Sequence, residues 1–143
     1  MIREHSVAGV AAESPFAVEL AEEWIASKKW ELATVGWNAY SLYVGITPDD
    51  DLDLDRLRDL LRHCAEDTQT AANRTRYTMN GFVIAVGSSV RPLLAEAKKA
   101  AKAIGAVTVN VGETACKVPL ATESLAKVEA MGRVGTKRKS ARC

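Results

Sequence analysis

The chain is poor in the residues that build the commoner kinds of site. It has two histidines, His5 and His63, and three cysteines in 143 residues. An odd number of cysteines with no C-x-x-C spacing argues against a disulfide framework and against a structural zinc site. With so few histidines, a nucleophile has little choice of base. Long apolar runs are also missing. The longest uninterrupted one, Phe82 to Val86, has five residues, whereas a membrane-spanning helix needs ~20. The first 25 residues lack a basic region followed by an apolar stretch, so no secretory signal is read there. The expected compartment is the cytoplasm, with no membrane partner and no cofactor.

What is present is an ordinary globular composition, 48% hydrophobic and 26% charged, in a length that suits one domain with a real core. The formal net charge of +1 conceals a sharp polarity. Residues 1–70 hold 6 Lys/Arg and 14 Asp/Glu, a net −8; residues 71–143 hold 13 Lys/Arg and 4 Asp/Glu, a net +9. The basic half ends in a run from Arg133 to Cys143 that contains no acid. Such asymmetry points to a polyanionic partner, nucleic acid first.

Hydrophobic spacing predicts five or six helices. Residues 1–13 show no clear period and read as an N-terminal arm. Ser14-Pro15 reads as a helix start, with Ser as N-cap and Pro in the first helical position. Phe16, Leu20 and Trp24 then form an apolar stripe. A second helix is expected from Trp30 to Val44, followed by a loop at Thr47 to Asp51. Leu54, Leu57, Leu60, Leu61 and Cys64 mark the most amphipathic helix. From Ala72 to Gly87 a helix is preferred over a strand, because the polar half preceding Phe82 has helical spacing. Pro92 to Ile104 is a strong helix former stopped by Gly105, and Thr122 to Met131 is stopped by Gly132. Val107, Val109 and Val111 alternate with polar residues, so 107–111 is read as a short extended segment. The expected domain plan is an arm at 1–13, an all-α domain of stacked antiparallel helix pairs at 14–132, and a flexible basic tail at 133–143.

Candidate chemistry is sparse. Cys116-Lys117 sets a thiol beside a cation, which favours the thiolate, yet no histidine lies near it in sequence. Gly132 to Lys137 lacks the spacing of a phosphate loop. The Asp49–Asp53 cluster lacks the glycine and glutamate of a calcium loop. Arg74 and Arg76 stand two apart at a helix start and point in different directions. The tail cations Lys137, Arg138, Lys139 and Arg142, with Lys117, Arg74 and Arg76, are the candidate contacts to phosphates. Trp30 and Trp37, seven apart, are placed to share one helix face, with core packing expected for at least one.

Several segments taken together resemble the bacterial DNA alkylation repair family, the HEAT-like-repeat alkylpurine DNA glycosylases. They are Gly36-Trp37 with Ser41, the Asp-rich loop leading into Leu54, Asn73-Arg74 with Arg76-Tyr77 and Met79-Asn80, Phe82 to Gly87, Ile104-Gly105, Gly112 with Thr114, Cys116 to Pro119, and the ending TKRKSARC. The resemblance spans roughly residues 14–143 and corresponds to the C-terminal part of the family's length. It implies a HEAT/ARM-like α-superhelix with a basic groove for double-stranded DNA. It also implies excision of cationic N3- or N7-alkylated purines, helped by a Trp and an Asp carboxylate that stabilise developing positive charge. The segment supplying that carboxylate would fall just before Ser14, where residues 1–13 contain neither Asp nor Trp. A family groove Trp falls at Gly81, and a groove Arg near Thr34.

The sequence therefore supports a DNA-binding HEAT-like protein related to alkylation repair, with its catalytic residues unassigned. One alternative is an active glycosylase using Glu13, Glu31 or Asn80. Another is a helical-repeat scaffold that binds RNA or an acidic protein.

Overall fold

Helices account for every regular element in the computed structural model, which describes residues 2–108 and 118–141. They are α1 (Ile2–Glu13), α2 (Ala17–Ile25), α3 (Trp30–Ile46), α4 (Leu54–Asp67), α5 (Asn73–Ser89), α6 (Leu94–Ile104) and α7 (Ala121–Ala130). Short 3-10 turns lie at Asp49–Asp51, Thr68–Thr70 and Arg91–Leu93. Among the described residues, no helix is long and apolar enough to cross a membrane.

Local sequence explains most boundaries. The Asp53 side chain accepts the Arg56 N–H at 3.0 Å and caps α4. Gly105 and Gly132 both take φ 66° where α6 and α7 end, a conformation glycine adopts without a Cβ penalty. Ser14-Pro15 does mark a boundary, but α2 starts at Ala17, and the Ser14 hydroxyl accepts the Phe16 N–H at 3.1 Å. The arm expected at 1–13 is instead helix α1. Its buried residues from Val7 onward are Ala8, Gly9, Ala11 and Ala12, too small to leave a strong periodic signal. With α1, seven α-helices are described rather than five or six. Of the extended segment expected at 107–111, only Val107 and Thr108 fall within the described residues, and neither is in a strand.

The helices stack in two layers. Odd-numbered helices neighbour one another in the order α1, α3, α5, α7, and even-numbered ones lie behind them, α2 on α3 and α6 on α5 and α7. The pairs α2/α3, α4/α5 and α6/α7 are the repeating unit. Each buries an apolar stripe against the next pair, as an α-solenoid requires. The core between layers centres on Trp37, Tyr40 and Phe82. Phe82 meets Trp37 and Tyr40 edge-on, at centroid distances of 5.1 and 5.7 Å. Two glycines permit the closest crossings. A Cβ at Gly36 would stand 2.7 Å from the Ile25 backbone nitrogen, and one at Gly87 would collide with Leu125 and lie 2.9 Å from the Ala97 Cβ.

Ion pairs tie the even helices to one another and α6 to α7. Arg56 of α4 forms a bidentate pair with Glu22 of α2, at 2.7 and 2.5 Å. These hydrogen bonds hold the Arg56 guanidinium above its ordinary pKa. Arg58 reaches Glu96 of α6 at 3.2 Å, and Lys98 of α6 reaches Glu129 of α7 at 2.5 Å. These pairs are partly exposed, so each adds little stability. The first two link successive repeats, and the third joins the two helices of the last one.

Candidate nucleic-acid interface

The odd layer presents the exposed faces of α3 and α5 side by side. At their N-terminal ends, the Thr34 and Thr75 hydroxyls bond to each other at 3.0 Å, and Thr34 also donates to the Trp30 carbonyl at 2.7 Å. Both threonines are buried. This contact holds the first turns of α3 and α5 together. It also explains why Thr34 is no groove residue.

Those first turns carry an electrostatic anomaly. A helix N-terminus carries partial positive charge and favours acids. Helices α2, α3, α4, α6 and α7 each have an acid in the first turn. Helix α5 has none, and Arg74 and Arg76 stand there instead. The Arg74 guanidinium lies over the Tyr77 ring, 5.5 Å from its centroid. Arg76 points elsewhere, as its spacing requires, and its Nε is buried without a hydrogen-bond partner. Trp30 and Tyr77, at the starts of α3 and α5, are both exposed. A cationic helix start beside the exposed Tyr77 ring suits an anion attached to a flat ring system.

At the C-terminal ends of the same helices, residues 133–141 form an ordered strap. This corrects the flexible tail expected from composition. The Gly135 N–H donates to the Ser88 carbonyl at 2.8 Å, and the Arg138 N–H to the Gly45 carbonyl at 2.8 Å. Lys137 Nζ donates to the Val44 carbonyl at 2.9 Å and pairs with Asp49 at 2.9 Å. Arg91 donates to the Val134 carbonyl at 2.6 Å. The Ser140 hydroxyl and Ala141 N–H both donate to Glu13, at 2.6 and 3.0 Å. Val134 and Ala141 are buried. The strap thus crosses the ends of α5, α3 and α1 in turn. It satisfies carbonyls that a helix terminus leaves orphaned and sets cations where the helix dipoles favour them. Composition alone could not show this use of tail charge.

Between the two ends lies a groove of about 270 Å³, its wall formed by Ser41, Gly45, Gly81, Ile84, Ala85 and Arg138 among others. A Cβ at Gly45 or Gly81 would meet nothing within 4 Å. Arg74 and Ser88 are 14 residues apart along α5, so the face spans about 20 Å.

The candidate contacts therefore separate. Arg74 and Arg76 mark the N-terminal end of the face, and Arg138 lines the groove. Lys139 is exposed on the strap, whereas Lys137 is committed to Asp49 and Val44. Lys117 and Arg142 lie outside the described residues, as does Cys116. Trp37 is 2% exposed and belongs to the core, so it shares no face with Trp30. Sequence spacing passed over the nearness of the start of α3 to the start of α5, where the Thr75 hydroxyl donates to the Trp30 carbonyl at 3.4 Å, because it depends on α3 and α5 being neighbours. Cys64, fully buried, has its thiol pKa pushed well up by desolvation, so it is no nucleophile.

Comparison with known proteins agrees with this architecture. No family model matches the chain. Two curated relatives, the uncharacterized proteins Lmo0209 of Listeria monocytogenes and Lin0241 of Listeria innocua, are 37% and 36% identical over 121 residues. Those residues are 85% of this chain and 51% of each relative, so the chain spans about half the length of the curated relatives it matches. One solved structure is described as a new family of proteins related to the HEAT-like repeat DNA glycosylases with affinity for branched DNA structures. It is 31% identical with a TM-score of 0.92, and the match covers 100% of this chain and 61% of that one. The chain has the all-helical fold of HEAT-like repeat proteins related to DNA glycosylases.

Proposed function

We propose that this chain binds DNA, duplex and branched, across the α3–α5 face. The observation that carries the reading is the exposed α3–α5 face, on which a first turn of α5 that holds Arg74 and Arg76 and no acid stands with the exposed Tyr77 ring. Arg74 and Arg76 would take phosphates at one end of the face, and Arg138 and Lys139 at the other. Lys117 and Arg142 are further candidates by sequence. Trp30 and Tyr77 offer stacking surfaces for unpaired bases, such as those at a junction. The affinity for branched DNA given for the neighbouring structure supports the same reading.

The test is fluorescence anisotropy with a four-way junction, a linear duplex and an RNA duplex across a salt series. Binding to both DNAs is expected, tighter to the junction, with a log–log salt slope of about −3 to −4 for four phosphate contacts. Arg138→Ala and Lys139→Ala should each weaken binding and reduce that slope by roughly 1. Equal binding to RNA, or none to DNA, would favour the scaffold reading.

Base excision receives less support. Of the residues considered for a catalytic role, the Glu13 carboxylate receives the strap, and Asn80 is 1% exposed and donates to the Pro119 carbonyl. No release of 7-methylguanine from methylated duplex is expected; measurable release would restore the glycosylase reading and direct attention to Glu31.

A further inference from the structure

Helices α3 and α5 contain the glycines Gly36, Gly45, Gly81 and Gly87. Glycine inside a helix lowers its stability relative to alanine, so each position needs a reason. Packing supplies one at Gly36 and Gly87, where an added Cβ would collide with its neighbours. At Gly45 and Gly81 a Cβ would meet nothing within 4 Å, and both open onto the groove of the α3–α5 face. Glycine also serves where a ligand must come close to the backbone, and that is the reason left for these two.

The rest of the wall defines the ligand. Leu42 of α3 and Ile84 of α5 are half-buried apolar walls. The Ser41 hydroxyl donates to the Trp37 carbonyl at 2.8 Å, so it faces the groove as an acceptor. Ser88 lines the same wall, and its Oγ is buried with no hydrogen-bond partner among the described residues, a polar group still to be satisfied. At the rim, the Arg138 backbone is pinned to the Gly45 carbonyl. Its guanidinium makes no ion pair among the described residues, unlike those of Arg56, Arg58 and Arg62. The acids that the strap touches, Asp49 and Glu13, are taken up by Lys137, Ser140 and Ala141, so the rim favours an anion. Apolar walls, hydroxyls and a fixed cation at the mouth match a nucleobase with a phosphate beside it. The volume of about 270 Å³ lies below the roughly 300–1,000 Å³ of pockets that enclose a whole drug-sized ligand, which suits one base rather than a stacked run. A further repeat is no rival for the space. Repeats stack on an end helix of the array, whereas the groove lies in the middle of the odd layer with the strap along one side.

We propose that this groove receives one unpaired nucleotide of bound DNA, its base over Gly45 and Gly81 between Leu42 and Ile84, and its phosphate on Arg138. The proposal rests on the DNA-binding reading above and adds to it the part of a branched structure that is recognised, a nucleotide without a pairing partner.

Fluorescence anisotropy tests it with duplexes of one length: fully paired, with a single-nucleotide bulge, and with the same bulge carrying an abasic site. The abasic bulge keeps the extra phosphate and lacks only the base. The base-bearing bulge should bind roughly tenfold more tightly than the abasic one. Gly81→Leu fills the groove and should bring that ratio to about 1, with circular dichroism reporting an intact fold. A readout without substitution comes from 2-aminopurine at the bulge, which should become shielded from acrylamide when the chain binds. Equal binding of the two bulges, a ratio that Gly81→Leu leaves intact, or a bulged 2-aminopurine still open to acrylamide overturns the proposal while DNA binding stands. Binding to none of the duplexes overturns both readings.

Discussion

Gly36, Gly45, Gly81 and Gly87 lie inside α3 or α5, where glycine costs about 1 kcal/mol relative to alanine. Two of them are explained by packing. At Gly36 an added methyl meets backbone, and at Gly87 it meets Leu125 and Ala97. Gly36→Ala and Gly87→Ala should therefore destabilise the fold by about 1–3 kcal/mol in denaturant titrations. At Gly45 and Gly81 nothing obstructs a side chain, so Gly81→Ala should stabilise by about 0.5–1 kcal/mol. Gly81→Leu should fold as well and yet bind the junction more weakly, because it fills the open face. Cys64 and Tyr40 make a separate prediction. Burial raises both pKa values, with Glu22 adding to the effect at Tyr40. The unfolded chain releases these protons first, so the stability they contribute is complete below the unfolded pKa values. It is lost as pH climbs past about 8.5 for the thiol and about 10 for the phenol. The melting temperature should fall steadily from pH 8 to 10.5, and Cys64→Ala should remove the earlier part of that fall. In a Cys116→Ser, Cys143→Ser variant, the remaining thiol should react with a disulfide reagent only under unfolding conditions.

Among elements, the strap changes the meaning of the tail cations most. Lys137 neutralises Asp49 in a half-buried pair while capping α3, so Lys137→Ala should cost about 1–2 kcal/mol. Arg138→Ala and Lys139→Ala should cost almost nothing in stability and act on DNA affinity instead. Urea titrations of the three variants, read beside the anisotropy data, separate the roles; equal stability losses at all three positions would refute the division. The elements differ in how readable they are. Helix α4 is plain in sequence because leucines and charges alternate at helical spacing. Helix α5 is readable because its polar half fixes the period before the apolar run begins. Helix α1 is hidden by alanine, whose burial contributes little hydrophobic contrast. The strap is unreadable because its hydrogen bonds go to carbonyls 47 to 93 residues away (Ser88, Val44 and Gly45) and to the Glu13 carboxylate 127 and 128 residues away, and no local pattern encodes them.

For the whole molecule, the −8/+9 polarity resolves into two uses. The first half gives Glu22 to Arg56 and Arg58 to Glu96, and both pairs join successive repeats. Cations of the second half are divided between helix ends and the exposed α3–α5 face. The fold class follows from pair lengths and short links, whereas the candidate site needs the stacking order that sets Trp30 beside α5. A helical array held by nearest neighbours alone unfolds piecemeal. The strap adds contacts from Val134 to Ala141 that bypass this order. A chain ending after Gly132 should show a broader urea transition with a smaller m-value than the full chain, and an unchanged m-value would leave the strap no part in cooperativity.

Glu13 closes α1, and its carboxylate is held by Ser140 and Ala141. During synthesis, domains generally form from the N-terminus as the chain emerges. Here α1 precedes the strap in translation and cannot be finished before it. Its last turn waits for residues translated 127 and 128 positions later, so a helix made before the other six described helices is among the last to be secured.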